Sequence, residues 1–331
     1  MIETGRRAVH DVPARRHIAR VLAIPAHLLG VTDAGDTEHA ALVALAGSAV
    51  RLADLARAGG RAAGAVGELW PVVSRLEAHA AQGRLEADTL AVLARAWVSL
   101  GTCLGTVLPE ERLGVAVGWT GKGVAAAEQL GDAGALSGAL AMHGNELRKS
   151  GRAGAAVAVL DRAVMAAGCD VDRGRALALL ARAAGSAGDA DRFARAAGGC
   201  RDLIDRHGSS GPLLDVFSWR EIQLRGLLEL GDLSGAVALA GAVSGEAAPG
   251  PQWEVIERVT VGGVLMAAGD HSEAEAVLVG AVGGASRYRL PHQIQRVIRI
   301  ARGSNHPDLL TYAETALGTA CPGGVPQGLP A

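Results

Sequence analysis

Along most of the chain the apolar positions recur at three- and four-residue intervals, as in Leu136, Leu140 and Leu147 or Val261, Val264 and Leu265. This is the spacing of one helix face. Between such runs a short phrase returns: Gly followed by Arg or Asp, a small residue, then a new apolar run. It stands at Gly151-Arg152, Gly188-Asp189, Gly231-Asp232 and Gly269-Asp270, at intervals of 37, 43 and 38 residues. The pattern predicts helices at about 37–58, 61–82, 85–104, 110–130, 133–150, 153–168, 172–187, 189–206, 212–230, 233–244, 252–268, 271–284, 291–302 and 306–318. In the first of them Leu42, Leu45, Leu52 and Leu55 form a stripe that we assign to packing within an array rather than to a zipper.

Glycine can take the left-handed conformation that closes a helix, and an Asp beside it can accept from the free N–H groups of the next one. Each unit of about forty residues therefore reads as a helical hairpin. Hairpins with Ala and Leu on both faces cannot bury that surface alone, so neighbours stack. The fold class is all-α: a helical-hairpin solenoid over residues 37–318, a short N-terminal helical segment over 1–32, and a Pro- and Gly-rich flexible tail at 319–331.

Gly144, Leu147, Gly151, Ala156, Leu160 and Ala163 fall at spacings of 3, 4, 5, 4 and 3, and Gly262, Leu265, Gly269, Ala274, Leu278 and Ala281 repeat them. This small-large pattern resembles the tetratricopeptide family. The unit around Gly231 departs from it at Leu224 and Ala240, and the unit around Gly188 is weaker, with Ala184 and Phe193. In that family the first helix of each hairpin lines a concave groove. The resemblance implies groove contacts at Asn145, Arg148 and Lys149, with Arg182 and Arg225 at corresponding places in weaker units. Asn can hold an extended backbone through paired contacts, and Arg or Lys can receive a carboxylate or another anion; a solvated polar face is the bland alternative.

Residues 2–33 read differently. Arg6, Arg7, Arg15, Arg16 and Arg20 face only Glu3 and Asp11. Ala14 to Ala23 fits a short helix burying Ile18, Val21 and Leu22, and Pro25 opens a turn that buries Leu28 and Leu29. IETGRR followed by ARRHIARVLAIPAHLLGV resembles the last part of the lambda-repressor-like (Xre-type) helix-turn-helix domain. The two helices that brace and enter the major groove precede this phrase in the family. That leaves a start codon placed downstream, a natural remnant, or a mere cap on the solenoid. Under the resemblance Arg6, Arg7, Arg15 and Arg16 would lie near DNA, and DNA would be contacted only with the missing helices in place.

Composition narrows the function. The 331 residues hold 32 basic and 34 acidic side chains, so no overall field draws the molecule to nucleic acid or membrane. The basic start is no secretory signal, and 96–109, the longest uncharged helical stretch, is too short to span a bilayer. Cys103, Cys169, Cys200 and Cys321 form no CxxC pair and read as buried or partly buried reduced thiols of a cytoplasmic protein.

Catalytic signatures fail in turn. AVGWTGKG at 116–123 has Ala116 for the first Gly of a phosphate loop and Gly123 for its Ser or Thr. No HExxH or GxSxG occurs, Ser209 and Ser210 have no assignable His and acid, and His143 with Glu146 reads as a surface contact. Glu110 with Glu111 and Glu273 with Glu275 suit helix starts, where carboxylates favour the dipole. Neither a cofactor nor a metal is called for. The expectation is a non-enzymatic sensor and dimerisation region of a helix-turn-helix regulator. It would be a homodimer binding a peptide, small-molecule signal or partner protein, without a membrane; the alternative is a stand-alone interaction scaffold.

Overall fold

A computed structural model describes residues 11–24, 26–31, 34–82, 85–242 and 245–320. Among them fifteen α-helices and no strand occur. They are α1 (Val12–Val21), α2 (Ala34–Ala58), α3 (Ala62–Ala81), α4 (Ala87–Val107), α5 (Leu113–Leu130), α6 (Ala133–Lys149), α7 (Ala153–Ala166), α8 (Asp170–Ala187), α9 (Ala190–His207), α10 (Val216–Glu229), α11 (Leu233–Gly241), α12 (Pro251–Ala268), α13 (His271–Arg287), α14 (Pro291–Gly303) and α15 (Pro307–Ala320). Single 3-10 turns lie at Ala26–Leu29 and Glu110–Arg112.

The punctuation foreseen in the sequence builds these hairpins. Gly151, Gly188, Gly231 and Gly269 have φ of 81°, 74°, 84° and 89°, a region that favours glycine. At one of them the Asp189 N–H donates back to the Ala184 carbonyl, closing α8 in a Schellman-type turn. Asp189, Asp232 and Asp270 then accept from the first turns of α9, α11 and α13. One side chain closes nothing and opens the next helix.

From α2 onward the helices pack in succession, and the even-numbered ones also pack on one another: α2 on α4, α4 on α6, α6 on α8, α8 on α10, α10 on α12 and α12 on α14. These form an inner wall, with the odd-numbered helices outside. In two of the hairpins the close approach is set by glycine: a Cβ at Gly144 would stand 2.5 Å from Leu160 Cγ, and one at Gly262 would stand 2.6 Å from Leu278 Cγ. Both pairs belong to the repeated spacing read from sequence.

The array also closes. α14 packs on α4; the Glu110 N–H donates to Gln295 Oε1 at 2.9 Å, and Gln295 Nε2 donates to Glu111 Oε1 at 2.8 Å. Arg299 pairs with Glu110 at the same junction, and Tyr288 and Pro251 pack against Gly60. Glu110 and Glu111, expected only to favour a helix dipole, tie the two ends of the array together.

Three expectations need correction. On α2 the packed face is Leu42, Ala46, Val50 and Ala53, whereas Leu45, Leu52 and Leu55 are exposed, Leu52 at 66%. At about 100° per residue Leu45, Leu52 and Leu55 fall to one side of Leu42, whereas Ala46, Val50 and Ala53 fall to the other, the side that the neighbouring helices cover. At the N-terminus Val21, Leu22 and Leu28 are exposed rather than buried, because among the described residues α1 packs chiefly on the turn Ala26–Leu29. Cys169 is exposed, while Cys103 and Cys200 are buried. Arg6, Arg7, Cys321 and most of the tail lie outside the described residues, and α15 runs through Ala320.

Two helices, Thr37–Ala58 and Ala87–Val107, are long and apolar enough to cross a membrane by length and composition. The second, α4, uses that character on several sides at once, packed by α2, α3, α5, α6 and α14.

The glycine contacts give a signed prediction. Ala favours a helix over Gly by about 1 kcal/mol, and Gly280, with nothing near its Cβ position, should gain about that much as Gly280→Ala. Overpacking costs about 1–3 kcal/mol, so Gly144→Ala and Gly262→Ala should lower stability despite better propensity. Urea unfolding midpoints measure all three; stabilisation at Gly144 would contradict the packing.

Candidate functional site

The inner helices enclose a cavity of about 1230 Å³, with lining contributed by α2, α4, α6, α8, α10, α12 and α14. Asn145, Arg148, Lys149, Arg182 and Arg225 all line it. Helical spacing brings the first three to one side of α6, and stacking of α8 and α10 beside it adds the other two. Arg296, His292 and Gln293 of α14 join them only because the array closes.

Their chemistry is that of a buried charge network. Lys149 Nζ lies 2.8 Å from Glu146 Oε2 and donates to the Gly105 carbonyl at 2.7 Å. A Cβ at Gly105 would collide with this pair, so glycine in α4 makes room for it. Arg225 donates to Glu229 at 2.8 Å, and Ser186 donates to the same carboxylate. Arg182 lies 3.4 Å from Glu221 and over the ring of Trp253, with the guanidinium carbon 5.4 Å from the ring centroid. Thr260 donates to Glu221 at 3.0 Å and accepts from Arg296 at 3.0 Å.

Arg148 is different. It is 9% exposed, and among the described residues its hydrogen bond goes to neutral Asn145 Oδ1 at 3.2 Å while its buried Nε has no partner. Among the described residues Arg296 likewise hydrogen-bonds to neutral groups, Gln293 Oε1 and Thr260 Oγ1. Burial first, and then the Arg225 and Arg182 charges, hold the Arg148 guanidinium well below its usual range. Burial and Arg225 bring Arg296 down to about 9. Burial and the cations Lys149, Arg296, Arg148 and Arg225 push the His292 imidazole well below its ordinary value, so it is neutral. Burial alone would raise the Glu221 carboxyl, but Arg182, Arg225 and Arg296 outweigh it and bring the group below the usual range.

No family model and no curated protein matches the chain. Among solved structures, BtubC (BKLC) from P. vanneervenii is 15% identical over 73% of this chain and 91% of its own, with a TM-score of 0.45. A circular tandem repeat protein with novel repeat topology and enhanced subunit contact surfaces is 18% identical over 86% of this chain and 72% of its own, with a TM-score of 0.23. Neither likeness bears on what the chain does.

The remaining candidates stay apart from the cavity. Arg15 donates to the Leu29 carbonyl at 3.2 Å and so braces the N-terminal segment, and Arg16 is exposed beside it. Trp97 and Trp119 instead flank Lys122, whose Nζ lies 4.1 Å from the Trp119 ring centroid. Trp219 donates to the Ala197 carbonyl, whereas Trp253 lines the cavity. His143 contacts Thr120 at 2.9 Å, Glu146 is buried beside Lys149, and no metal-binding cluster of three ligands occurs among the described residues. Sequence reasoning missed Arg296 and His292 as cavity residues. The high helical amphipathicity of IQRVIRIARG, with arginines at three-residue spacing, was the available signal for α14.

Removing one member of a buried pair costs about 3–5 kcal/mol, so Glu221→Gln should destabilise the chain by about 3 kcal/mol. Because the Glu221 carboxyl is held below its ordinary 4.5, the stability it supplies is complete above that value and is lost as pH falls through the lower folded one. The gap between wild type and Glu221→Gln should therefore close as the solution is acidified from 4.5 through the lower folded value. Urea titrations at several pH values measure it; a gap that widens in acid would contradict the assignment.

Proposed function

We propose that this chain is the non-enzymatic sensor and dimerisation region of a helix-turn-helix transcriptional regulator, acting in the cytoplasm, whose inner cavity holds a peptide or small-molecule signal. The observation that carries the ligand-binding half is the convergence of Asn145, Arg148, Lys149, Arg182 and Arg225 on one cavity of about 1230 Å³. Small-molecule sites commonly fall between about 300 and 1,000 Å³, so this one has room for a short peptide. An amide side chain among guanidinium groups suits a peptide backbone with an acidic group.

The regulator half rests on the N-terminal resemblance and on exposure. Val21, Leu22 and Leu28 are apolar and open, with Val21 at 67%. An open apolar face of this kind is consistent with packing against further helices, as the helix-turn-helix resemblance implies. A signal filling the cavity would favour one curvature of the array over another, and in a dimer that changes the spacing of two DNA-reading heads.

Two measurements test this. The full chain is incubated with a pool of synthetic octapeptides and examined by native mass spectrometry. Retention of a subset, weakened at least tenfold in Asn145→Ala and Arg148→Ala, is expected; no retention by the wild type would refute the sensor reading. Translating the genomic DNA in frame upstream of Met1 should give about forty residues containing two further helices. An in-frame stop would instead favour the interaction scaffold.

A further inference from the structure

The charges on the inner wall do not balance. In the cluster built by α6, α8, α10 and α14, Arg148, Lys149, Arg182, Arg225 and Arg296 are five cations against the three carboxylates Glu146, Glu221 and Glu229, while the rest of the lining adds Arg51, Arg57, Arg95, Arg175 and Arg299 against Asp54, Glu110 and Asp172. Lys149 and Glu146 cancel whichever of them holds the proton. Arg182 is matched by Glu221 and Arg225 by Glu229. Within this cluster two positive charges are left over, and they fall on Arg148 and Arg296, whose hydrogen bonds among the described residues go to neutral partners. A guanidinium does not relieve such an imbalance by giving up its proton. An unpaired buried cation costs several kcal/mol, so an anion that enters here removes a standing penalty as well as making new bonds.

The excess is also concentrated. His292 of α14 sits within the fields of Lys149 and Arg148 from α6, Arg225 from α10 and Arg296 from its own helix, and its Nδ1 is buried without a partner. Both unmatched cations, Arg148 and Arg296, therefore act on one neutral imidazole, which suits a compact group with two charges and several acceptor oxygens better than two separated carboxylates. The same cavity also carries apolar side chains on its lining, among them Val98, Met142, Leu179, Trp253 and Ile256.

Resting on the reading of the cavity as a ligand site, we infer that it receives the dianionic phosphoryl group of a phosphomonoester against Arg148, Arg296 and His292, with the ester's apolar body on the Trp253 side. Monoester phosphates carry a charge of about −1.5 to −2 at neutral pH and present three acceptor oxygens, which matches both the surplus charge and the number of converging donors. Arg is suited to bidentate contact with such oxygens. The group can come from a small organic ester or from a phosphorylated peptide, and the chemistry of the seat is the same for both.

Calorimetry on the full chain at about pH 7.5, where a phosphomonoester is dianionic, and at fixed ionic strength, tests this with phenyl phosphate, inorganic phosphate, succinate, acetate and a phosphoserine octapeptide. Phenyl phosphate or the phosphopeptide should bind at least tenfold more tightly than acetate and succinate, and more tightly than inorganic phosphate; whichever binds better identifies the source. Arg148→Gln and Arg296→Gln should each weaken that binding at least tenfold while raising the melting temperature of the empty protein, since each removes an unmatched cation. Equal affinity for acetate or succinate, no binding of any phosphate, or unweakened binding in both variants would overturn the inference. Retention of unphosphorylated octapeptides with no preference for phosphate would leave the sensor reading standing and remove only this one.

Discussion

Guanidinium groups outnumber carboxylates on the inner wall of this helical array, and a guanidinium keeps its charge when buried. The surrounding structure must therefore satisfy Arg148 and Arg296 by some means other than neutralisation. Asn145, Gln293 and Thr260 supply dipoles, which soften the cost without removing it. The Arg182–Glu221–Thr260–Arg296 chain links α8, α10, α12 and α14 through polar contacts that each need the next helix in place. The inner wall is consequently a single electrostatic unit, and a ligand that changes the charge at one point acts on four hairpins.

Closure makes this unit possible. The Gln295 contacts to Glu110 and Glu111 and the packing of α14 on α4 bring the last hairpins to the first. Without them His292 and Arg296 would face open solvent across from α6. The outer layer contributes the stiffness: Leu160 over Gly144 and Leu278 over Gly262 fix the approach of the two helices in their hairpins, so the orientation of α6 and α12 toward the cavity follows from covalent spacing within each unit.

Much of this was legible in the chain itself. Glycine in the left-handed region with Asp after it is a local device, and local devices survive in sequence; the hairpins at Gly188, Gly231 and Gly269 form where they were expected. The groove positions on α6 were legible because one helix face is fixed by spacing alone. What was not legible depends on contacts between residues far apart in the chain. Glu110 meets Gln295 across 185 positions, and nothing near either residue announces it. The exposed Leu45, Leu52 and Leu55 show the converse limit: a regular apolar repeat identifies a helix, yet which of its faces is covered is decided by Ala46, Val50 and Ala53, small residues that a search for leucines passes over.

The central claim is that the closed inner wall holds a seat for a doubly charged oxyanion. A crystal structure of the full chain grown with tungstate, a tetrahedral dianion with strong anomalous scattering, tests it most directly. The account predicts one anomalous peak inside the cavity, within hydrogen-bonding reach of the Arg148 and Arg296 side chains, with α14 still packed on α4. An array opened at that junction, or a cavity with no ordered anion in it, would contradict the account.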